Sequence, residues 1–165
     1  MESRRRFMPA SRAGFVLAGG RSSRMGQDKA HLPWKGSTLI ESVAREVFNA
    51  AGSVTLIGPV ERYASLGFPV VSDKIAGCGP LAGLHAALST TTAEWNILVA
   101  CDMTGVTCPL SAVYNARLLP AVESAIHSKL LKMHDFVSKI SVRQWPAPDP
   151  AVCNLNTPEQ LLGAR

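Results

Sequence analysis

Short apolar runs alternate with helical segments along the first hundred residues, and this pattern limits the folds open to the chain. The apolar runs are strand-sized and cover residues 14–18, 54–57, 68–71 and 96–100. Strands that alternate with helices form a parallel sheet with helices packed on both of its faces. We therefore predict an α/β fold, namely a three-layer, mostly parallel Rossmann-like sheet.

Local signals mark where the helices begin. Thr38 and Glu41 have the spacing of a capping box and predict a helix over residues 38–48. Pro80 suits the first turn of a second helix, because its missing N–H would have no partner there. The remaining predicted elements are a helix over residues 118–126, a strand over 140–144 and a helix that begins at Thr157.

Composition indicates a single globular domain. The chain has 165 residues and a net charge of +5. Four arginines and one glutamate within residues 1–12 supply much of that charge, so we expect a basic, disordered tail over 1–12 and one domain over 13–165. The body is too weakly basic for a nucleic-acid surface. No apolar run approaches the roughly 18 residues of a membrane span, and the N-terminus lacks a hydrophobic signal core. We expect a cytoplasmic protein with no nucleic-acid or membrane partner.

Three of the predicted strands are followed by residues that can bind a ligand or take part in a reaction. The first leads into a loop rich in glycine and arginine, the third into Asp73 and the fourth into Asp102. Ligands of open parallel sheets bind at the carboxyl ends of the strands. These groups therefore predict one site at one edge of the sheet, with Asp73 and Asp102 at neighbouring strand ends.

The loop after the first strand suits phosphate. Its glycines let backbone N–H groups approach an anion, and Arg21, Arg24 and Lys29 can neutralise phosphate charge. Neither a Walker loop nor the dinucleotide-binding G-x-G-x-x-G motif occurs in the chain. A P-loop NTPase and a standard dinucleotide fold are therefore excluded.

The two aspartates have different predicted tasks. A carboxylate at a strand end beside a phosphate loop is placed to hold Mg²⁺, which takes one or two carboxylates beside substrate phosphates. Asp102 is the better candidate, since it follows the most apolar strand. The alternative for Asp102 is a helix cap or a turn former, and a structural role is also open for Asp73.

Four motifs in order resemble the molybdenum cofactor guanylyltransferase family: L-A-G-G-R-S-S-R-M-G-Q-D-K, G-P-L-A-G, A-C-D-M and N-x-N-T-P-E. The resemblance extends over residues 14–162. It implies a fold of the nucleotide-diphospho-sugar transferase type and transfer of GMP from GTP to the terminal phosphate of molybdopterin. The first motif occurs in shorter form in many sugar-nucleotide pyrophosphorylases, whereas the full set is more specific.

The resemblance also implies roles for single residues. The expected GTP-binding residues are Leu17, Ala18, Gly19, Gly20, Lys29, Asp73 and Asp102. Lys29, Arg24 and Asp102 are expected to be catalytic, with Asp102 as the Mg²⁺ ligand. The cytidine-adding relative usually reads L-A-A-G where this chain has Leu17-Ala18-Gly19-Gly20, so by resemblance the glycine pair Gly19-Gly20 favours guanine.

Two asparagines match a family motif near the expected pterin side. These are Asn154 and Asn156, for which a polar turn before Thr157 is the structural alternative. Transient contact with molybdenum-insertion and molybdoenzyme-maturation proteins is a further expectation from the resemblance.

The chain departs from the family pattern in two places. The family has a helix and a strand between C-D-M and an H-P-L-like segment. Here only five residues separate Met103 from Pro109. Within this segment Cys108 stands where the family commonly has histidine. A parallel crossover needs a dozen or more residues. Either a helix–strand unit has been lost, or the sequence omits a segment; the intact motifs on both sides favour omission. The second departure is Gly58, where the family often has a side-chain donor.

The expected reaction needs no general base. The attacking phosphate monoester has a second pKa of about 6 and is largely dianionic at neutral pH. The four histidines are therefore interpreted as surface or packing residues. A nucleotidyltransferase that uses another nucleotide such as CTP, and a nucleotide-binding module without turnover, remain as alternatives.

Overall fold

The computed structural model describes residues 11–18, 29–34, 36–73, 75–101, 103–104, 111–143 and 153–154. The strands are β1 (Arg12–Leu17), β2 (Pro33–Trp34), β3 (Ser37–Thr38), β4 (Thr55–Ile57), β5 (Val70–Val71), β6 (Trp95–Ala100), β7 (Met103–Thr104), β8 (Ser111–Asn115) and β9 (Cys153–Asn154). The α-helices are α1 (Leu39–Ala51), α2 (Val60–Tyr63), α3 (Pro80–Thr90), α4 (Leu119–His127) and α5 (Met133–Val137). Short 3₁₀ turns cover Lys29–His31, Ala64–Leu66 and Ala116–Leu118.

Five strands form the main sheet in the order β5-β4-β1-β6-β8. The pairs β5–β4, β4–β1 and β1–β6 are parallel, and β8 runs antiparallel to β6. The strand order reverses beside β1. The strands β4 and β5 follow β1 on one side of it, and β6 then lies on its other side. The prediction of a mostly parallel α/β sheet is confirmed.

Alternate residues of the sheet pack into two separate cores, which makes the fold three-layered. Val16 and Leu56 face the core that contains α1. Phe15, Leu17 and Leu98 face the opposite core, which contains side chains of α3, α4 and α5. Side chains alternate between the two faces of a strand, so a central strand covered on both faces is apolar throughout.

The predicted helix starts at Thr38 and Pro80 are confirmed. The backbone N–H and the hydroxyl of Thr38 donate to Oε2 of Glu41 at 2.9 Å and 2.6 Å, and the Glu41 N–H donates to Thr38 Oγ1 at 3.4 Å. Pro80 is the first residue of α3. The helix predicted over 118–126 is also present, as α4.

The strand predicted over residues 140–144 is wrong for the described residues 140–143. The segment continues irregularly from the end of α5, and the Ile140 N–H donates to the Val137 carbonyl. Ile140 packs against the core while Val142 is exposed. The alternation of apolar and polar residues that suggested a strand therefore arises because one residue after α5, Ile140, packs against the core. The helix predicted from Thr157 lies outside the described residues.

Strand β8 was not predicted, and it bears on the short connection after Met103. Its five residues are not an apolar run, and only Tyr114 among them is buried. An antiparallel neighbour can follow a short connection, whereas a parallel one needs a crossover. A short link from β6 to β8 is thus compatible with the sheet.

The sheet begins inside the predicted tail. Arg12 is the first residue of β1, and the carbonyl of Ser11 accepts the Trp95 N–H at 3.1 Å. Ser11 and Arg12 therefore belong to the sheet and not to a disordered tail. Residues 1–10 lie outside the described part of the chain.

We predict that the charge of Glu41 contributes to stability only above acidic pH. Hydrogen bonds from the Thr38 side chain and backbone lower the pKa of Glu41 from its ordinary value of 4.5. A carboxyl whose pKa is lower in the folded state stabilises above its unfolded-state pKa, and this contribution is lost as the pH falls through the folded-state pKa.

Glu41→Gln keeps a carbonyl acceptor and removes the charge. Urea unfolding should show the variant less stable than the wild type at pH 7, with the difference shrinking below about pH 4.5. Glu46→Gln, at an exposed position of the same helix, is the control. A Glu41→Gln difference that is constant from pH 7 to pH 3 would refute the assignment.

Candidate active site

The carboxyl ends of the four parallel strands lie in register along one edge of the sheet. Leu17 pairs with Ile57 on one side and with Ala100 on the other, and Ile57 pairs with Val71. The residues that follow these strands therefore emerge together. Ligands of open α/β sheets bind at this edge, at the point where the strand order reverses, and that point lies beside β1 here.

The strand order separates the two aspartates that the sequence suggested lie at neighbouring strand ends. Asp73 follows β5 and Asp102 follows β6, but β4 and β1 lie between these strands. Three strand spacings put the ends of β5 and β6 roughly 14 Å apart. The expectation of neighbouring strand ends is wrong, because chain order does not reveal that the sheet grows outward from both sides of β1. The wide separation suits a ligand as long as a nucleoside triphosphate.

Leu17 is the last residue of the central strand β1, and Ala18 directly follows it. Leu17 is 8% exposed and packs in the core, and its carbonyl accepts the Cys101 N–H at 3.0 Å. Ala18 donates its N–H to the Ile57 carbonyl at 2.8 Å and accepts a hydrogen bond from the Tyr63 hydroxyl. These contacts hold the point where the chain leaves β1 for the loop.

The chain returns to the described structure at the 3₁₀ turn Lys29–His31. Ala30 is completely buried in the core on the α1 side, and His31 is exposed. The backbone of Lys29 is thus fixed beside a buried residue. The other predicted loop residues, Gly19, Gly20 and Arg24, lie outside the described residues, as does Asp102.

Asp73 is exposed in the connection between β5 and α3. Its neighbour Ser72 is also exposed, and the Ser72 hydroxyl donates to the carbonyl of Gly58 at 3.4 Å. Asp73 therefore lies at the predicted edge and faces solvent. Its role in seating a nucleotide remains a prediction.

Helix α3 brings its amino end to the same edge. Gly83 in this helix lies against β1, where a Cβ atom would be 2.5 Å from Cδ2 of Leu17. The absence of a side chain at Gly83 lets the helix pack closely on the end of the central strand. The amino ends of helices favour anions, so this placement suits phosphate near the site.

The C-terminal motif reaches the same region. Strand β9 pairs with β7 in an antiparallel ribbon, with Asn154 opposite Met103 and Cys153 opposite Thr104. The backbone of Asn154 therefore lies opposite the residue that directly follows Asp102 in the chain. Asn156 lies outside the described residues, and the pterin role of both asparagines remains a prediction.

The described histidines agree with packing or surface roles. His31 stacks on Tyr63, and His85 Nε2 lies 3.6 Å from Oε1 of Glu123. His127 and His134 are exposed. In the part of the chain that the structure describes, no three His, Cys, Asp or Glu side chains form a group able to hold a metal ion.

Tyr63 was missed by the sequence analysis. It lies at the end of the short helix α2, and the Ala18 carbonyl that it contacts is 45 residues away in sequence. Only its three-dimensional contacts reveal a role, since R-Y-A-S-L-G carries no motif of known chemistry. Gly58, where the chain departs from the family pattern, lies against the ring of the same tyrosine.

Comparison with known proteins identifies the family. The model of the MobA-like NTP transferase domain matches residues 14–133. The chain belongs to this family. A relative in Pelotomaculum thermopropionicum, named "Probable molybdenum cofactor guanylyltransferase", is 34% identical over 92% of this chain and 91% of its own. A protein of the same name in Carboxydothermus hydrogenoformans is 31% identical over 89% of this chain and 93% of its own.

A solved structure supports the fold. The molybdopterin-guanine dinucleotide biosynthesis protein A of Archaeoglobus fulgidus superposes with a TM-score of 0.72 at 22% sequence identity. The match covers 92% of this chain and 96% of that one. The predicted nucleotidyltransferase fold is confirmed. None of the helices that the structure describes has the length and apolar character to cross a bilayer.

We predict that Gly83 and Leu17 are energetically coupled. Gly83→Val should destabilise the fold by about 1–3 kcal/mol, because the new side chain overlaps Leu17 and pushes α3 from β1. Leu17→Ala removes the overlapping atoms, so the double variant should be more stable than the sum of the single effects predicts. Urea unfolding of all four proteins measures this coupling. Strictly additive free energies would mean that α3 does not approach β1 at Gly83.

Proposed function

We propose that the chain transfers GMP from GTP to the terminal phosphate of molybdopterin, giving molybdopterin guanine dinucleotide and pyrophosphate. The observation that carries the proposal is the similarity to two guanylyltransferases at 34% and 31% identity over about nine-tenths of the chain. The sheet edge adds physical support, because the central strand leads into the glycine- and arginine-rich segment at the point where strand order reverses.

The reaction is a displacement at phosphorus. An oxygen of the molybdopterin phosphate attacks the α-phosphorus of GTP, a new P–O bond forms, and the bond from the α-phosphorus to the bridging oxygen breaks. Pyrophosphate carries away that electron pair. The attacking phosphate is already largely dianionic at neutral pH, so no side chain has to remove a proton.

The protein must therefore align the two substrates and neutralise charge. We assign Lys29 and Arg24 to the triphosphate, and Leu17, Ala18, Gly19 and Gly20 to backbone contact with the nucleotide. Asp73 would help to bind GTP from its position after β5, the outermost of the parallel strands. Asn154 and Asn156 would contribute to the pterin side.

Family members of this type generally use a divalent metal, and we propose Mg²⁺ on Asp102. The donor set fits this ion, since Mg²⁺ is held by one or two carboxylates together with substrate phosphates and water. When bound, the ion would neutralise the charge that develops on the phosphates.

The setting of the reaction follows from the same proposal. We expect it to occur in the cytoplasm, with transient contact to proteins that insert molybdenum or mature molybdoenzymes. GTP and molybdopterin are the expected substrates.

We predict Mg²⁺-dependent selectivity for GTP. Titration with GTP, CTP and ATP, with and without Mg²⁺, should give tight binding only for GTP in the presence of the ion. Incubation with GTP and molybdopterin should release pyrophosphate. Preference for CTP would indicate a cytidylyltransferase, and GTP binding without pyrophosphate release would indicate a non-catalytic module.

Asp102→Ala should lower turnover by roughly 100-fold or more while the protein stays folded, because the charge that holds the metal is lost. Asp135→Ala is a matched control, since Asp135 is an exposed aspartate on α5. Equal turnover in the two variants would place the metal elsewhere.

A further inference from the structure

Tyr63 is a fully buried tyrosine that contacts the end of the central strand. Its exposed fraction is 0%, and its hydroxyl donates a hydrogen bond to the carbonyl of Ala18. Ala18 itself is 5% exposed, so neither partner is well solvated. A buried hydroxyl is costly unless it is hydrogen-bonded, so this contact fixes the tyrosine and the end of β1 relative to each other.

The ring of the same tyrosine contacts the turn that carries Lys29. The rings of His31 and Tyr63 stack with centroids 5.6 Å apart and an angle of 23° between their planes. His31 is the last residue of the turn Lys29–His31, whose middle residue Ala30 is buried in the same core as Tyr63. One side chain thus touches both the end of β1 and this turn.

Gly58 provides the space that the ring occupies. A Cβ atom at this position would lie 3.0 Å from Cε2 and 3.3 Å from Cδ2 of Tyr63, and 3.4 Å from the carbonyl carbon of Ala18. The Gly58 N–H donates to the Val71 carbonyl at 3.0 Å, which holds the backbone in place. A larger residue at 58 would therefore press on the ring of Tyr63 and would also contact the end of β1.

We propose that Tyr63 is a positioning residue that fixes the end of β1 at Ala18 relative to the turn that carries Lys29, and thereby sets the affinity for the nucleotide. This inference rests on the proposed function, in which Ala18 and Lys29 both contact GTP. Tyr63 acts through Ala18 and through the turn Lys29–His31, and the proposal assigns it no contact with the substrate. Its hydroxyl acts on Ala18 and its ring acts on His31.

Two variants separate the two contacts. Tyr63→Phe removes the hydroxyl and keeps the ring, and His31→Ala removes the stacking partner at an exposed position. Each should raise the Kd for GTP roughly five- to ten-fold, the size expected for the loss of one modest interaction. Because both variants act through the same side chain, their effects should be less than additive in the double variant.

A second readout does not depend on the nucleotide. In hydrogen–deuterium exchange of the free protein, Tyr63→Phe should speed exchange in peptides that cover residues 29–34. Asn96→Ala is the matched control, since Asn96 is 1% exposed and its side-chain N–H donates to the Ala93 carbonyl at 3.2 Å near the opposite end of the sheet. This variant should lower Tm without changing the exchange of residues 29–34 or the Kd for GTP.

The outcomes distinguish failure of the inference from failure of the proposed function. If the wild type binds GTP and Tyr63→Phe binds it equally well, or if exchange over 29–34 is unchanged, the positioning role is overturned. If the wild type does not bind GTP, the proposed function fails and the inference fails with it. If Tyr63→Phe and Asn96→Ala weaken GTP binding to the same extent, Tyr63 contributes only general stability, which also overturns the proposal.

Discussion

The parallel pairing of β1 with both β4 and β6 is the constraint on which the rest of the structure depends. It places a fully covered strand at the centre of the sheet, between two separate apolar cores. It also makes β1 the point where strand order reverses. The carboxyl end of this strand is therefore paired on both sides, and the glycine- and arginine-rich segment follows it in the chain.

Close packing around that end follows from small residues and one tyrosine. Gly83 allows α3 to approach Leu17 on one face, and Gly58 allows the ring of Tyr63 to lie beneath Ala18 on the other. A closely packed edge suits the proposed reaction, which needs alignment and charge neutralisation more than proton transfer. The same residues that pack the core thus lie where the proposed phosphate-binding segment begins.

Local signals in the sequence predicted the beginnings of helices, because the Thr38–Glu41 capping box and Pro80 act within one helical turn. The mostly parallel sheet also followed from the alternation of strands and helices.

The sequence did not indicate that β4 and β1 separate the strands ahead of Asp73 and Asp102, since strand order is a property of the assembled sheet. Tyr63 was missed for the same reason, as its partner is 45 residues away. The false strand over 140–144 arose because one buried isoleucine beyond a helix resembles strand alternation.

A crystal structure of the full chain with Mg²⁺ and a non-hydrolysable GTP analogue is the most direct test of the central claim. The nucleotide should lie across the carboxyl edge of the sheet, with its phosphates at the end of β1 beside Lys29 and the metal ion on Asp102. A nucleotide bound at the amino edge of the sheet, or on one of the helical faces, would contradict the account.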